Sequence, residues 1–318
     1  MRWLEPEWRD ETEAWIQDHV QVTGPIEQPH VRPWATAMRV PTTDGDVWFK
    51  AVGAGHGFEP GLTALLAESF PGRVTEVVEI DADQGWMLMR DAGIRLRELE
   101  GAGLAEWEAV LPRYAEIQIG MGPRIAELLE LGVPDQRLAG LPDKVAELLD
   151  DDRALLLDEP EGLTSAQREE LHARMPQLHD LVAELQVSEI PETIQHDDLH
   201  DGQVFARGGG HVIADWGDSC ISHPFHTLTV TLRALAWRHG LEPGAEPLLR
   251  LRDAYLEPYR TPAPVGDLAY RTGTLARALA WHRHLQAREP EHWDRDDAES
   301  VPYGLRLFLE AGPIGTWE

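Results

Sequence analysis

Apolar positions along the chain change period four times. Residues 3–18 carry them at helical spacing, which predicts an amphipathic helix. From 20 to 52 the pattern shortens to alternating runs broken by Gly, Pro and a "TTDGD" turn, the signature of a hairpin or meander. "GFEPGLTALLAESF" returns to helical spacing over 58–70. "GRVTEVVEIDADQGWMLMRDAG" predicts two strands joined by the "DADQG" turn. After Gly93 the period is helical almost throughout, near 103–118, 122–132, 142–150, 164–187, 224–239, 246–258, 265–288 and 301–311. Prolines at 112, 123, 134, 142 and 176 are expected to break helices or start them. This predicts an α+β chain of two domains. One is a small antiparallel sheet with one inserted helix (1–92), and the other is a larger helical domain (93–318).

One stretch fits neither period. "QHDDLHDGQVFARGGGHVIADWGDSC" (195–220) interleaves His196, Asp197, Asp198, His200, Asp201, Asp215 and Asp218 with Leu199, Val204, Phe205, Val212 and Ile213. Its middle reads as the strand "VFAR", the turn "GGG" and the strand "HVIADW". A two-strand ribbon returns the chain on itself, so Asp198 and Asp215 can approach despite their separation. Buried paired carboxylates are costly without a cation. Two of them beside an amide make a hard-oxygen set suited to Mg²⁺.

Composition narrows the partners. The 318 residues hold 56 Asp and Glu against 28 Lys and Arg, a net charge of −28. Such a surface repels nucleic acid and anionic lipid and attracts cations. No apolar run is long enough to span a membrane. The charged N-terminus does not read as a secretory signal, and the single Cys220 fits a reducing cytoplasm. Only Lys50 and Lys144 are lysines. Lys144 lies in a helical pattern and reads as a surface residue. Lys50 ends the alternating run "DGDVWFKAVG", and a compact ammonium on a strand suits a phosphate.

The spacing His196-x-Asp198-x-x-x-x-Gln203, followed by Asp215-Trp216-Gly217, parallels the kinase patterns H-R-D-x-x-x-x-N and D-F-G. With Lys50 on a strand, Glu59 on the next helix and "MLMRDAG" where an inter-lobe hinge would fall, the chain resembles the aminoglycoside phosphotransferase family. That family is part of the protein-kinase-like superfamily. The resemblance implies a bilobal fold and ATP-dependent phosphoryl transfer to a small hydroxylated molecule such as an aminoglycoside, another antibiotic, choline, homoserine or a sugar, with Mg²⁺ as cofactor and GTP as an alternative donor. The acidity of the chain favours a cationic acceptor among these. Asp198 would accept the hydroxyl proton, and Gln203 and Asp215 would hold Mg²⁺. Lys50 would meet the nucleotide phosphates, steadied by Glu59 or else Glu68. Backbone groups of Met89, Arg90 and Asp91 would meet the base. His196, Asp197, His200 and Asp218 are candidate substrate or supporting contacts. His196 also reads as a loop brace, Asp218 as a turn-former and Trp216 as core.

Two positions depart from the family pattern. Gln203 stands for Asn, and Asp197 stands for Gly. The glycine-rich phosphate loop falls on "VTGPIEQPHVRPW" or "AVGAGHG". The departures favour, as an alternative, a catalytically weak nucleotide-binding module, while the His and Asp of "HDDLH" offer, less strongly, a metal-dependent hydrolase. The acceptor pocket is expected in the helical domain, where "EPEHWDRDD" (289–297) adds to the acidity.

Overall fold

The computed structural model describes residues 1–288 and 293–316. Residues 289–292 of the acidic "EPEHWDRDD" segment therefore lie outside the described residues. The chain divides into two compact units. One comprises Met1–Glu100, Glu130–Val133 and Asp201–Gly217; the other comprises Gly101–Leu129, Pro134–His200 and Asp218–Glu318. Instead of a single cut near residue 92, the chain re-enters the first unit for the hairpin at 201–217.

The first unit begins with α1 (Pro6–His19). Strands β1 (Glu27–Val31), β2 (Ala35–Val40) and β3 (Val47–Val52) follow, then α2 (Glu59–Ser69), β4 (Val77–Asp81), β5 (Trp86–Arg90) and the short β6 (Ile94–Arg95). The first five strands form an antiparallel sheet in the order β1-β2-β3-β5-β4. In β3, Val47, Phe49 and Ala51 are buried while Trp48 and Lys50 alternate with them. Period 2 sends Phe49 into a core with Trp3, Trp8, Ile16, Met38 and Trp86, and sends Lys50 to the opposite face. Trp15 packs edge-on to both Phe49 (5.8 Å) and Trp86 (5.7 Å), so α1 closes the aromatic face of the sheet. A one-residue slip of β3 would put the Lys50 ammonium among these tryptophans, which fixes the register.

In the second unit, β7 (Thr193–Gln195) pairs with a strand at 220–222. Back in the first unit, β8 (Val204–Arg207) and β9 (Gly210–Ile213) form a three-stranded sheet with β6 in the order β6-β8-β9. The partner of β7 is β10 (Cys220–Ser222). Both β7 and β10 are buried along their whole length, so they carry no alternation for a sequence pattern to show.

The second unit is otherwise helical. Its helices are α3 (Leu104–Met121), α4 (Ile125–Glu130, whose last residue falls in the first unit), α5 (Leu141–Leu149), α6 (Ser165–Ala173), α7 (Met175–Val187), α8 (Thr227–His239), α9 (Glu246–Leu256), α10 (Ala263–Gln286) and α11 (Arg295–Glu310). Three local expectations are corrected. Pro112 lies inside α3 rather than breaking it. The buried face of Trp107, Val110, Leu111 and Tyr114 outweighs the one lost backbone hydrogen bond. The span 164–187 is two helices, divided at Arg174 with Pro176 in the first turn of the second. Helix α11 starts at Arg295, capped by the Asp294 side chain accepting from the Asp296 amide, and runs through Pro302. Helix α10 is the hub, buried around most of its length and packed on α5, α7, α8, α9 and α11. Gly304 permits the α11 contact, since a Cβ there would sit 2.9 Å from the Thr274 carbonyl oxygen. Among the described residues no helix is long and apolar enough to cross a membrane.

Candidate active site

In the first unit, Lys50 Nζ lies 2.5 Å from Glu59 Oε1 and 2.5 Å from Asp215 Oδ1. Glu59 heads α2 and is only 1% exposed, whereas the Asp215 side chain is 46% exposed. Glu68, the other candidate partner, lies on the exposed side of the same helix. Burial works against the Lys50 charge, but the two carboxylates outweigh it and hold the ammonium above the ordinary lysine pKa. Gly217 packs against this ion pair. A Cβ at 217 would sit 2.8 Å from Glu59 Oε2 and 3.2 Å from its Cδ. The glycine of Asp-Trp-Gly therefore makes room for the Glu59 carboxylate, while Trp216 is fully buried core.

The β8–β9 hairpin brings the two expected metal ligands to one end. Val204 pairs with Ile213, and the Ala214 amide donates to the Gln203 carbonyl at 2.9 Å. Gln203 and Asp215 thus leave the same end of the ribbon. Asp215 takes a left-handed backbone (φ 66°), a conformation that is costly for a non-glycine residue and concentrates at functional sites. An amide carbonyl and one exposed carboxylate suit Mg²⁺, which commonly takes one or two protein oxygens and completes its shell with water and phosphate.

The segment expected to meet the base lies at the end of β5. Met89 pairs with Trp48 and Val77, and the amides of Arg90 and Asp91 donate to the carbonyls of Glu76 and Asp46. The Asp91 carboxylate accepts from the Trp48 indole (3.0 Å) and the Gly93 amide (2.7 Å). Of the two phosphate-loop candidates, the first forms the β1–β2 hairpin, closed by the Arg32 amide donating to the Ala35 carbonyl at 2.8 Å. The second is the end of β3 and a single turn of 3₁₀ helix, Ala54–His56. His30 in β1 is held below the ordinary histidine pKa by burial and by the charges of Arg95 and Arg32, while Asp215 acts the other way. Two guanidiniums and the Asp215 carboxylate therefore share one electrostatic neighbourhood.

The second unit holds the other half of the expected set. Asp198 is gripped on both oxygens: Arg277 Nη2 donates to Oδ1 at 3.2 Å, and His200 Nε2 lies 3.3 Å from Oδ2. Arg277 Nη1 also donates to the Asp197 carbonyl at 2.6 Å and lies 3.8 Å from the carboxylates of Asp197 and Asp218. Thr231 staples the same loop by donating to the Leu199 carbonyl at 2.8 Å. His196 is fully buried. Its amide donates to the Tyr114 hydroxyl at 2.8 Å, and its Nδ1 accepts from the Asp198 amide at 3.3 Å. His196 is thus a brace for the loop backbone, and His200 lies against the Asp198 carboxylate.

Asp197 explains one departure from the family pattern. Its φ is 62°, in the left-handed region that glycine occupies freely and that Asp tolerates better than most residues. The position demands a conformation, and Asp meets the demand while adding a carboxylate. That carboxylate is buried, its Oδ2 has no hydrogen-bond partner, and burial pushes its pKa up to about 7 against the pull of Arg277 and Arg283. Asp218 supplies its backbone carbonyl to Arg283 at 3.1 Å as well as its carboxylate to Arg277. Lys144 donates to the Asp135 carbonyl, away from this loop in sequence and role. Cys220 is buried, and burial raises its thiol pKa, which keeps it unreactive.

A sequence profile of the phosphotransferase enzyme family matches residues 47–268, which contain Lys50, Glu59, Asp198, Gln203 and Asp215. The chain belongs to that family. No curated protein matches it in sequence. Solved structures share its fold at low identity. A macrolide 2′-phosphotransferase type I is 12% identical with a TM-score of 0.61, covering 95% of this chain and 98% of that one. A choline kinase from Streptococcus pneumoniae is 13% identical with a TM-score of 0.59, covering 96% and 97%. An amicoumacin kinase in complex with AMP-PNP, Ca²⁺ and Ami is 12% identical with a TM-score of 0.56, covering 97% and 96%. The fold of this family member is protein-kinase-like, with a small antiparallel sheet and a larger helical part.

Arg277 was not legible in the sequence. It lies 79 residues beyond Asp198, on a helix whose pattern is that of ordinary core packing.

Proposed function

We propose that this protein transfers the γ-phosphoryl group of ATP to a hydroxyl of a small molecule. The Lys50–Glu59–Asp215 cluster carries this reading. A strand lysine clamped between a buried helix carboxylate and an exposed one after a hairpin is the arrangement that a nucleotide-phosphate site calls for. Lys50 contacts the nucleotide phosphates, and Glu59 keeps it in place. Without ligand, Asp215 and Lys50 neutralise each other. With Asp215 given over to a bound metal ion, Lys50, still held by Glu59, would offer its charge to the phosphate oxygens. Gln203 and Asp215 would hold Mg²⁺, which when bound supplies charge neutralisation at the phosphates. Carbonyls at Met89–Asp91 receive the base, since the amides of Arg90 and Asp91 are already engaged. The AMP-PNP and Ca²⁺ bound by the amicoumacin kinase support a nucleotide and a divalent cation, and GTP stands as the alternative donor.

Asp198 orients the acceptor hydroxyl and takes its proton as the hydroxyl oxygen bonds to the γ-phosphorus. The bond from that phosphorus to the β–γ bridging oxygen breaks, and ADP leaves. Arg277 and His200 fix both oxygens of Asp198, so the base is aligned before substrate arrives. On net charge alone the chain, at −28, fits an aminoglycoside, an amino sugar or a similar cationic metabolite, and the charges lining the acceptor site itself decide whether that holds at contact. A cytoplasmic site of action fits the lone buried cysteine.

Calorimetry with ATP and Mg²⁺ tests the nucleotide half. Binding is expected in wild type and strongly weakened in Lys50→Ala. No binding by folded protein at millimolar nucleotide would overturn the reading in favour of a module without kinase function.

A further inference from the structure

The second unit holds a cavity of about 350 Å³ between α8, α10 and α11. This is within the size range of small-molecule sites. Its walls include Trp237, Trp281 and Tyr303, and two arginines, Arg233 and Arg277. Arg277 links it to the base, because the same guanidinium donates to Asp198 Oδ1 at 3.2 Å. Its charge is already answered by Asp197, Asp198 and Asp218. Arg233 is different. It lies over the Tyr303 ring, 4.8 Å from the centroid, and has no carboxylate partner among the described residues. Its Nε is buried without a hydrogen-bond partner. In a chain with twice as many acids as bases, a half-buried guanidinium left without a carboxylate is unexpected. Buried polar groups that the protein does not satisfy are commonly satisfied by something else.

We propose that this cavity receives the acceptor, and that the acceptor is a ring-bearing hydroxyl compound carrying an anionic group, held by Arg233. The proposal rests on the phosphotransferase reading for its chemistry, though not for its binding step. The ring stacks on Trp281 and Trp237; the latter is 66% exposed and stands at the mouth. The anion bridges to Arg233, where two parallel N–H donors match a carboxylate. The hydroxyl then points toward Arg277 and Asp198. Aromatic walls alone would also suit a cation, but the Arg233 guanidinium, which no carboxylate answers among the described residues, opposes one. The negative charge of the whole chain acts from a distance. At physiological salt the screening length is about 8 Å, so a contact charge outweighs it.

A matched pair of probes separates the two cases. 4-(Hydroxymethyl)benzoate and 4-(aminomethyl)benzyl alcohol share a ring and a primary alcohol and carry opposite charges. Calorimetry without nucleotide, near pH 7.5 and about 0.15 M salt, should show the benzoate binding at least about tenfold more tightly, as a charge-assisted hydrogen bond supplies. Arg233→Gln should abolish that preference. Arg233→Lys should keep its sign, and Trp281→Ala should weaken both probes alike. Tighter binding of the amine, no binding of either probe at millimolar concentration, or a preference that survives Arg233→Gln would each overturn the proposal. ADP release with the benzoate is scored separately. Charge-selective binding without turnover would uphold the pocket's chemistry and count against the phosphotransferase reading instead.

Discussion

Gly217→Ala is a one-carbon change that reaches the nucleotide site without touching a charged residue. The new Cβ would lie 2.8 Å from Glu59 Oε2, where ordinary contact begins near 3.4 Å. The carboxylate must retreat by roughly half an ångström to reach van der Waals distance. Glu59 is 1% exposed and sits in the first turn of α2 beside Pro60, so it has little free volume to retreat into. Its 2.5 Å contact with Lys50 lengthens or breaks. In the empty protein Asp215 still holds Lys50, so the fold should survive. If Asp215 serves the metal in the loaded state, as proposed, Glu59 alone steadies the lysine there. A charge-assisted hydrogen bond is worth about 1.5–3 kcal/mol, so Mg-ATP affinity should fall by about tenfold to a hundredfold. Calorimetry gives the affinity, and a thermal melt controls for folding. A variant that melts like wild type and binds Mg-ATP equally well would refute the role assigned to the Glu59–Lys50 pair.

Gln203→Asn should keep or improve turnover, and Gln203→Ala should raise the Mg²⁺ needed for half-maximal rate; a silent Ala variant, in a Mg²⁺ titration of ADP release, would remove Gln203 from the metal site. Asp197 has a folded pKa raised from 3.8 to about 7, so its stability contribution is present at low pH and is lost as pH rises across that window. Asp197→Asn tolerates the left-handed backbone and stays neutral, so its melting temperature relative to wild type should climb by several degrees between pH 5 and pH 8; a difference that does not change with pH would contradict the buried, titrating carboxylate.

What the sequence made legible is local. Lys50 shows itself through alternation in one strand, and Asp198, Gln203 and Asp215 through their spacing within one short stretch of chain. The strand order of the sheet, the close approach at Gly217 and the left-handed backbone at Asp197 follow from tertiary packing. Asp197 reads in sequence as an added charge, and in the structure as a residue that satisfies a backbone demand. Arg277 and Arg233 lie on helices whose periodicity gives only a packing face, so their convergence at one cavity had no local signal. Pro112 marks the limit of local rules, since a well-buried helix face carried the helix through it.

The central claim is acceptor-dependent phosphoryl transfer from ATP with Asp198 as the base. ADP release, measured across aminoglycosides, amino sugars, amino alcohols and the anionic benzyl alcohol above, tests it most directly when Asp198→Asn is run beside wild type. Wild type should release ADP only when an acceptor and Mg²⁺ are present. Asp198→Asn should bind Mg-ATP normally and lose on the order of 10²-fold or more in rate, the usual size of a general-base effect. Near-native turnover by Asp198→Asn, or no acceptor-dependent ADP release from a wild-type protein that binds Mg-ATP, would contradict the account.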